Sequence, residues 1–288
     1  MEDSESSSEM PSYKVTSEIY KENKYSDQAI GGNNRISKFI FKHPPFLIKQ
    51  LFEKQKPRYD KDGDLIVERE KEGTLSIEHC TSTELKLVGL QLWRGAFLLA
   101  DFILANPDLF KDKTILELGS GVGLTSIIAS SVAKKVICTD VNIGDILKLI
   151  ARNFENNKQY VKCKVNIAEV NFLNLKWAKE LCKDFKTVDI ILAADVIYDD
   201  SITEGFVKTL GKLLDPKPST IAYVALEKRF VFTISDLDSV APMYEEFLRC
   251  VARNNFNWTI EEIKLDFPKY FQYERLKQML LMKIKRAP

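Results

Sequence analysis

The chain has 288 residues, 45% of them hydrophobic and 29% charged, and a net charge of +1. That length suits one large domain or two small ones with a sizeable core, and a near-zero charge gives no overall field favouring nucleic acid or a membrane surface. The five cysteines (Cys80, Cys138, Cys163, Cys182, Cys250) are odd in number and contain no C-x-x-C pair, so neither a disulfide framework nor a zinc site is expected, no metal is assigned, and a reducing interior is the natural setting.

The opening MEDSESSSEM is acidic and serine-rich without an apolar core, so it is no secretory signal, and residues 1–35 are expected to form a disordered tail. Residues 36–82 carry short apolar bursts (FIFK, FLIKQLF, LSIEH) split by prolines and glycines, which predicts an accessory cap of a few strands. HPPF, residues 43–46, reads as a turn. Basic residues between Lys38 and Lys61 are mixed with acids and lack an aromatic stripe, so they read as solvated surface and no direct nucleic-acid binding is expected.

Residues 83–288 are expected to form the main domain. Residues 83–105 are predicted helical; the apolar LVGLQLWRGAFLLADFILA within them is interrupted by Gln91, Arg94 and Asp101, which marks a core helix rather than a membrane span. Strands are predicted at 113–119, 135–140, 162–170, 188–195 and 219–229, with helices at 123–133, 144–157, 201–214 and 239–256 among them. Two strands without an intervening helix, 257–265 and 276–286, close the chain. Strands alternating with helices of this length predict βαβ crossovers, an α/β fold with a mostly parallel sheet and an antiparallel hairpin at one edge.

Three strand ends carry the chemistry. ELGSGVG, Glu117 to Gly123, lies in the first β-to-α turn, where glycines let a ligand approach the backbone. KVICTD puts Asp140 at the next strand tip, where a carboxylate can accept from both hydroxyls of a ribose. The glycine spacing departs from the dinucleotide fingerprint, whose sixth position is here Leu124, and Glu117 would repel a pyrophosphate. S-adenosylmethionine, which has a cationic amino-acid end and no phosphate, therefore ranks above a nicotinamide dinucleotide. ILAADVIYDD delivers Asp195 and Tyr198 beside the same crevice, while Asp199 and Asp200 suit the start of a helix. Glu227 is expected at the pocket rim or in an ion pair.

The E-x-G-x-G-x-G run, Asp140 and the D-x-x-Y of DVIY resemble the seven-β-strand class I methyltransferases, and within them the D-x-x-Y protein-lysine methyltransferases of family 16, over roughly residues 60–288. The resemblance implies a Rossmann-like seven-stranded fold and S-adenosylmethionine held by Trp93, Glu117, Gly119, Ser120, Gly121, Gly123, Asp140, Phe172 and Ala194, with Asp195 and Tyr198 positioning the substrate lysine. The family commonly has Asp-Trp where this chain has Asn171-Phe172; an aromatic face is kept and a negative charge is lost. The resemblance also implies a monomer acting on a lysine of a non-histone protein, of the Kin type of zinc-finger nucleic-acid-binding proteins, in the nucleus or cytoplasm. A nucleic-acid or small-molecule methyltransferase shares the cofactor pocket but would ask for a proline-containing motif or a basic surface. A non-catalytic cofactor-binding scaffold would not need Asp195 and Tyr198.

Overall fold

The computed structural model describes residues 14–22, 26–52, 58–59, 61–63, 65–66, 72–233 and 238–287. An N-terminal antiparallel sheet contains β1 (Ser26–Gly31), β2 (Asn34–Lys42) and β3 (Glu72–Cys80) in that order. The main domain follows with α1 (Arg94–Ala105), β4 (Thr114–Leu118), α2 (Leu124–Ala129), β5 (Lys135–Asp140), α3 (Ile146–Asn156) and β6 (Lys164–Glu169). It continues with α4 (Lys179–Phe185), β7 (Ile190–Ala194), α5 (Asp200–Leu214), β8 (Ile221–Glu227), α6 (Pro242–Arg253), β9 (Trp258–Glu262) and β10 (Met279–Arg286).

The seven strands β4–β10 form one sheet in the order β6-β5-β4-β7-β8-β10-β9. The first five are mutually parallel, and β10 runs antiparallel to both β8 and β9. This is the expected Rossmann-like architecture. Strand order reverses between β4 and β7, which opens a crevice beyond their carboxyl ends.

Period-2 alternation explains why central strands read as unbroken apolar runs. Ile190 and Leu192 of β7 face one core, while Ile191 and Ala193 face the other. Tyr223 and Ala225 of β8 divide from Val224 and Leu226 in the same way, because successive side chains leave opposite faces of a sheet covered on both sides. In α3 the buried Ile146, Leu149, Ile150, Asn153 and Phe154 follow the helical stripe.

Asn153 of that stripe and Asn157, the residue that caps the helix, seal the edge of the N-terminal sheet. Asn157 accepts from the Ser76 N–H at 2.9 Å and donates to the Ser76 carbonyl at 2.8 Å. Asn153 does the same for Glu78, at 2.7 and 2.9 Å. Four residues of helix rise about 6 Å and two residues of strand about 6.8 Å, so one helix face can match alternate strand residues. An open edge is thereby satisfied.

Two expectations are corrected. Residues 83–93 are not α-helical: Thr83–Glu84 pairs with Lys14–Val15, Leu85–Leu90 is a 3-10 helix, and the chain is extended at Gln91 and Trp93 before α1 begins. The buried Gln91 side chain accepts from the Ser17 N–H and donates to the Val15 carbonyl and the Thr83 hydroxyl, and those long-range bonds override helix propensity. The expected tail also contains structure, with Ile19–Glu22 a helical turn and Ser26–Gly31 the strand β1; its residues 1–13 lie outside those described. HPPF leads directly into a helix, Pro45–Phe52. Lys38, Lys42, Lys49 and Lys61 are exposed, and Lys54 and Lys56 lie outside the described residues.

Candidate active site

A cleft of about 510 Å³ opens at the strand reversal. Its walls include the turn after β4 (Gly119, Ser120, Gly121), Asp140 at the tip of β5, Asn171 and Phe172 after β6, Ala194 and Asp195 at the tip of β7, Tyr198, and the stretch Leu85–Trp93. The structure therefore brings nine of the eleven site residues expected from the sequence to one cavity: Trp93, Gly119, Ser120, Gly121, Asp140, Phe172, Ala194, Asp195 and Tyr198.

Glu117 and Gly123 do not line it. Glu117 is the penultimate residue of β4 and points with Ile115 towards α2, where its carboxylate accepts from the Ser126 hydroxyl. Burial pushes its pKa up to about 7, against the lowering pull of Ser126 and Thr125. Gly123 sits behind the wall as the left-handed residue from which α2 starts. A strand tip and a glycine motif indicate a neighbourhood, whereas side-chain alternation decides which residue reaches the ligand.

Asp140 is buried, and its two oxygens accept from the Gly121 and Val141 N–H groups, both at 2.7 Å. Burial raises its pKa to about 6 despite those donors. Gly121 has φ +55°, and a Cβ there would come within 3.1 Å of the Gly89 carbonyl, so glycine is required for this close turn. Phe172 packs its ring 5.6 Å from that of Phe206 while presenting itself to the cleft. Trp93 is fixed by an indole hydrogen bond to the Val88 carbonyl at 3.0 Å.

Asp195 has φ +52°, a left-handed conformation that costs most residues energy and that Asp and Asn tolerate best. Its Oδ2 accepts from the Gly95 N–H at 2.6 Å and its Oδ1 from the Glu227 N–H at 3.2 Å. The carboxylate thus joins the start of α1 to the end of β8. Burial pushes its pKa up to about 6, opposed by the Gly95 N–H. Tyr198 is 40% exposed and stands at the mouth. Asp199 caps α5, accepting from the Ile202 N–H at 3.0 Å, as its place before a helix predicts, and it also lines the cleft.

S-adenosylmethionine, the cofactor expected from the sequence, fits this chemistry. The lining carries three carboxylates, Asp140, Asp195 and Asp199, against one ammonium, Lys86, itself paired with Glu84. Such a set disfavours a pyrophosphate and suits a ligand with a sulfonium and an ammonium. The Ser120 hydroxyl is buried on the wall and makes no hydrogen bond of normal geometry. Asp140 stands ready for hydroxyl donors, with aromatic faces available at Phe172 and Trp93.

Sequence reasoning missed a second layer of residues. Glu227 does not line the cleft; it takes the ion-pair alternative, with Arg94 at 2.7 Å. Arg94 also binds Glu22, which the sequence assigned to the tail.

Comparison with known proteins agrees with this geometry. A family model described as lysine methyltransferase matches residues 70–247. Human methyltransferase-like protein 22 is 38% identical over 237 residues, covering 74% of this chain and 58% of that protein. The mouse protein of the same name is 36% identical over 254 residues, covering 79% and 64% respectively. A protein-lysine N-methyltransferase of Chaetomium thermophilum, EFM3, is 29% identical over 206 residues, covering 66% of this chain and 56% of its own. The aligned region thus spans about three-fifths of each methyltransferase-like protein 22.

Proposed function

Because the chain belongs to the lysine methyltransferase family, we propose that it transfers a methyl group from S-adenosylmethionine to the side-chain amine of a lysine in a protein. The observation that carries the proposal is the placement of two strand-tip carboxylates, Asp140 and Asp195, in one cleft whose lining has a single ammonium. Trp93, Gly119, Ser120, Gly121, Asp140, Phe172 and Ala194 would hold the cofactor. When bound, the cofactor supplies a methyl group activated by a sulfonium.

A lysine amine, with a reference pKa near 10.4, must be neutral to act as the nucleophile. Asp195, at about 6, lies some four units lower, so it is a weak base for that proton. Its task is orientation: a carboxylate has about four acceptor positions, and the two backbone N–H groups take only two of them. An acceptor remains for the incoming N–H. Partial desolvation of the amine at the cleft lowers its pKa, while the Tyr198 ring forms one side of the approach. Rate enhancement by alignment needs no covalent enzyme intermediate.

The Kin-type zinc-finger proteins expected from the resemblance are the protein class to try first, and a nuclear location goes with that substrate. The test is transfer of labelled methyl groups from S-adenosylmethionine into a nuclear extract and into a purified Kin-type protein, comparing wild type with Asp195→Asn. The asparagine keeps the left-handed backbone. Label recovered as methyl-lysine and lost in the variant supports the reading. Label removed by nuclease and resistant to protease would replace the protein substrate with a nucleic acid.

A further inference from the structure

The two donors that hold Asp195 are both tied to Arg94, one through the backbone and one through an ion pair. Gly95, whose N–H meets Oδ2, is the peptide neighbour of Arg94. Glu227, whose N–H meets Oδ1, is its ion-pair partner, Nη1 to Oε2 at 2.7 Å. The rest of the Arg94 fork is taken by Glu22, which accepts at 2.6 Å from Nε and also from Nη2. The other Glu22 oxygen accepts from the Glu274 N–H at 2.9 Å. One guanidinium therefore joins three separated parts of the chain: the N-terminal segment, the first turn of α1 and the tip of β8.

Stability alone does not account for this arrangement. A cation in the first turn of a helix opposes the helix dipole. Side-chain exposures are 9% for Arg94, 12% for Glu22 and 14% for Glu227, and ion pairs withdrawn from water to this degree can often be exchanged for apolar packing without loss of stability. What the planar fork provides is direction, because it fixes two carboxylates at defined angles as a lysine cannot.

We infer that Arg94 is a positioning residue for Asp195, with Glu22 of the N-terminal segment as its counter-anchor, so that this segment is a working part of the active centre. The inference rests on the methyl-transfer reading above. Arg94 touches neither cofactor nor substrate in this scheme; it fixes the two N–H groups that fix the carboxylate.

The experiment compares wild type, Arg94→Lys and Glu22→Gln in the full chain. Folding is checked by thermal melting and cofactor-site integrity by calorimetric binding of S-adenosylhomocysteine. Methyl transfer is then measured in nuclear extract against S-adenosylmethionine concentration, and the Gly95 amide-proton resonance is followed by NMR. The expected result is a rate at saturating cofactor reduced about tenfold or more in Arg94→Lys, with the apparent KM for S-adenosylmethionine within roughly twofold of wild type. The Gly95 resonance should move upfield as its short bond to Asp195 loosens, and Glu22→Gln should show a smaller change of the same kind. Folded variants with the wild-type rate and an unmoved Gly95 resonance would overturn the inference. A moved Gly95 resonance in a protein that transfers no methyl group in any extract would uphold the clamp and overturn the activity it is proposed to serve.

Discussion

Gly95→Ala is a one-carbon test of how Asp195 is held. A Cβ at Gly95 would lie 2.6 Å from Oδ2, 2.9 Å from Cγ and 3.1 Å from Oδ1 of Asp195, closer than carbon and a carboxylate can approach. The carboxylate must swing away and lose the 2.6 Å bond to the Gly95 N–H. A hydrogen bond to a charged acceptor contributes about 1.5–3 kcal/mol, whereas alanine in place of glycine in a helix returns up to about 1 kcal/mol. The net cost is about 0.5–2 kcal/mol, a fall in Tm of a few degrees at roughly 2–4 °C per kcal/mol. Activity should suffer far more, because displacing a positioning group by about 1 Å can reduce the rate about a hundredfold. Initial rates of methyl transfer, thermal melts and S-adenosylhomocysteine calorimetry separate the two effects; cofactor affinity should change little, since Asp140, the residue proposed to hold the cofactor's ribose, is untouched. A folded Gly95→Ala protein with a rate within twofold of wild type would refute the role given to Asp195.

Asp140→Asn should weaken S-adenosylhomocysteine binding about tenfold or more, because an amide has one acceptor oxygen for the Gly121 and Val141 N–H groups and leaves one buried donor unpaired; calorimetry reads this directly. Glu117→Gln should stabilise the protein in a pH-dependent way. The folded-state pKa, about 7, lies above the ordinary value of 4.5, so the folded state binds more protons in between and stability falls as pH rises through that window. Above pH 7 the whole cost of ionising the buried group is present, on the order of 3 kcal/mol at 1.36 kcal/mol per unit. The Tm of Glu117→Gln should therefore exceed that of wild type at pH 8 and converge with it near pH 4.5, and equal gains at both pH values would contradict the assignment. Gly205→Ala should lower Tm despite its helical position, since a Cβ would lie 2.6 Å from the Phe172 carbonyl oxygen. By moving Phe172 it should also weaken cofactor binding, and a stabilised variant with unchanged affinity would exclude that coupling.

What the sequence disclosed and what it hid follow from the range of the interactions involved. The central strands β7 and β8 were legible because burial on both faces leaves continuous apolar runs divided with period 2 between two cores. The place of Asp140 and Asp195 in the cleft was legible because ligands in this architecture bind at strand ends, whereas Phe172 was indicated only by the family resemblance. Leu85–Trp93 was misread as helix because its conformation depends on bonds from Gln91 to residues more than seventy positions upstream, which no local propensity encodes. The same is true of Glu22. In the sequence it is one acid in a polar run; in the fold it meets Arg94, and Arg94 meets Glu227 across 133 positions. A faint signal was nevertheless present, in an arginine set within an otherwise apolar helix start. A charge that burial makes costly must find partners, and Arg94 finds them in Glu22 and in Glu227, whose own N–H holds Asp195. The site's second layer is thus foreseeable as a need for counter-charges, although only the folded chain reveals which carboxylates meet it.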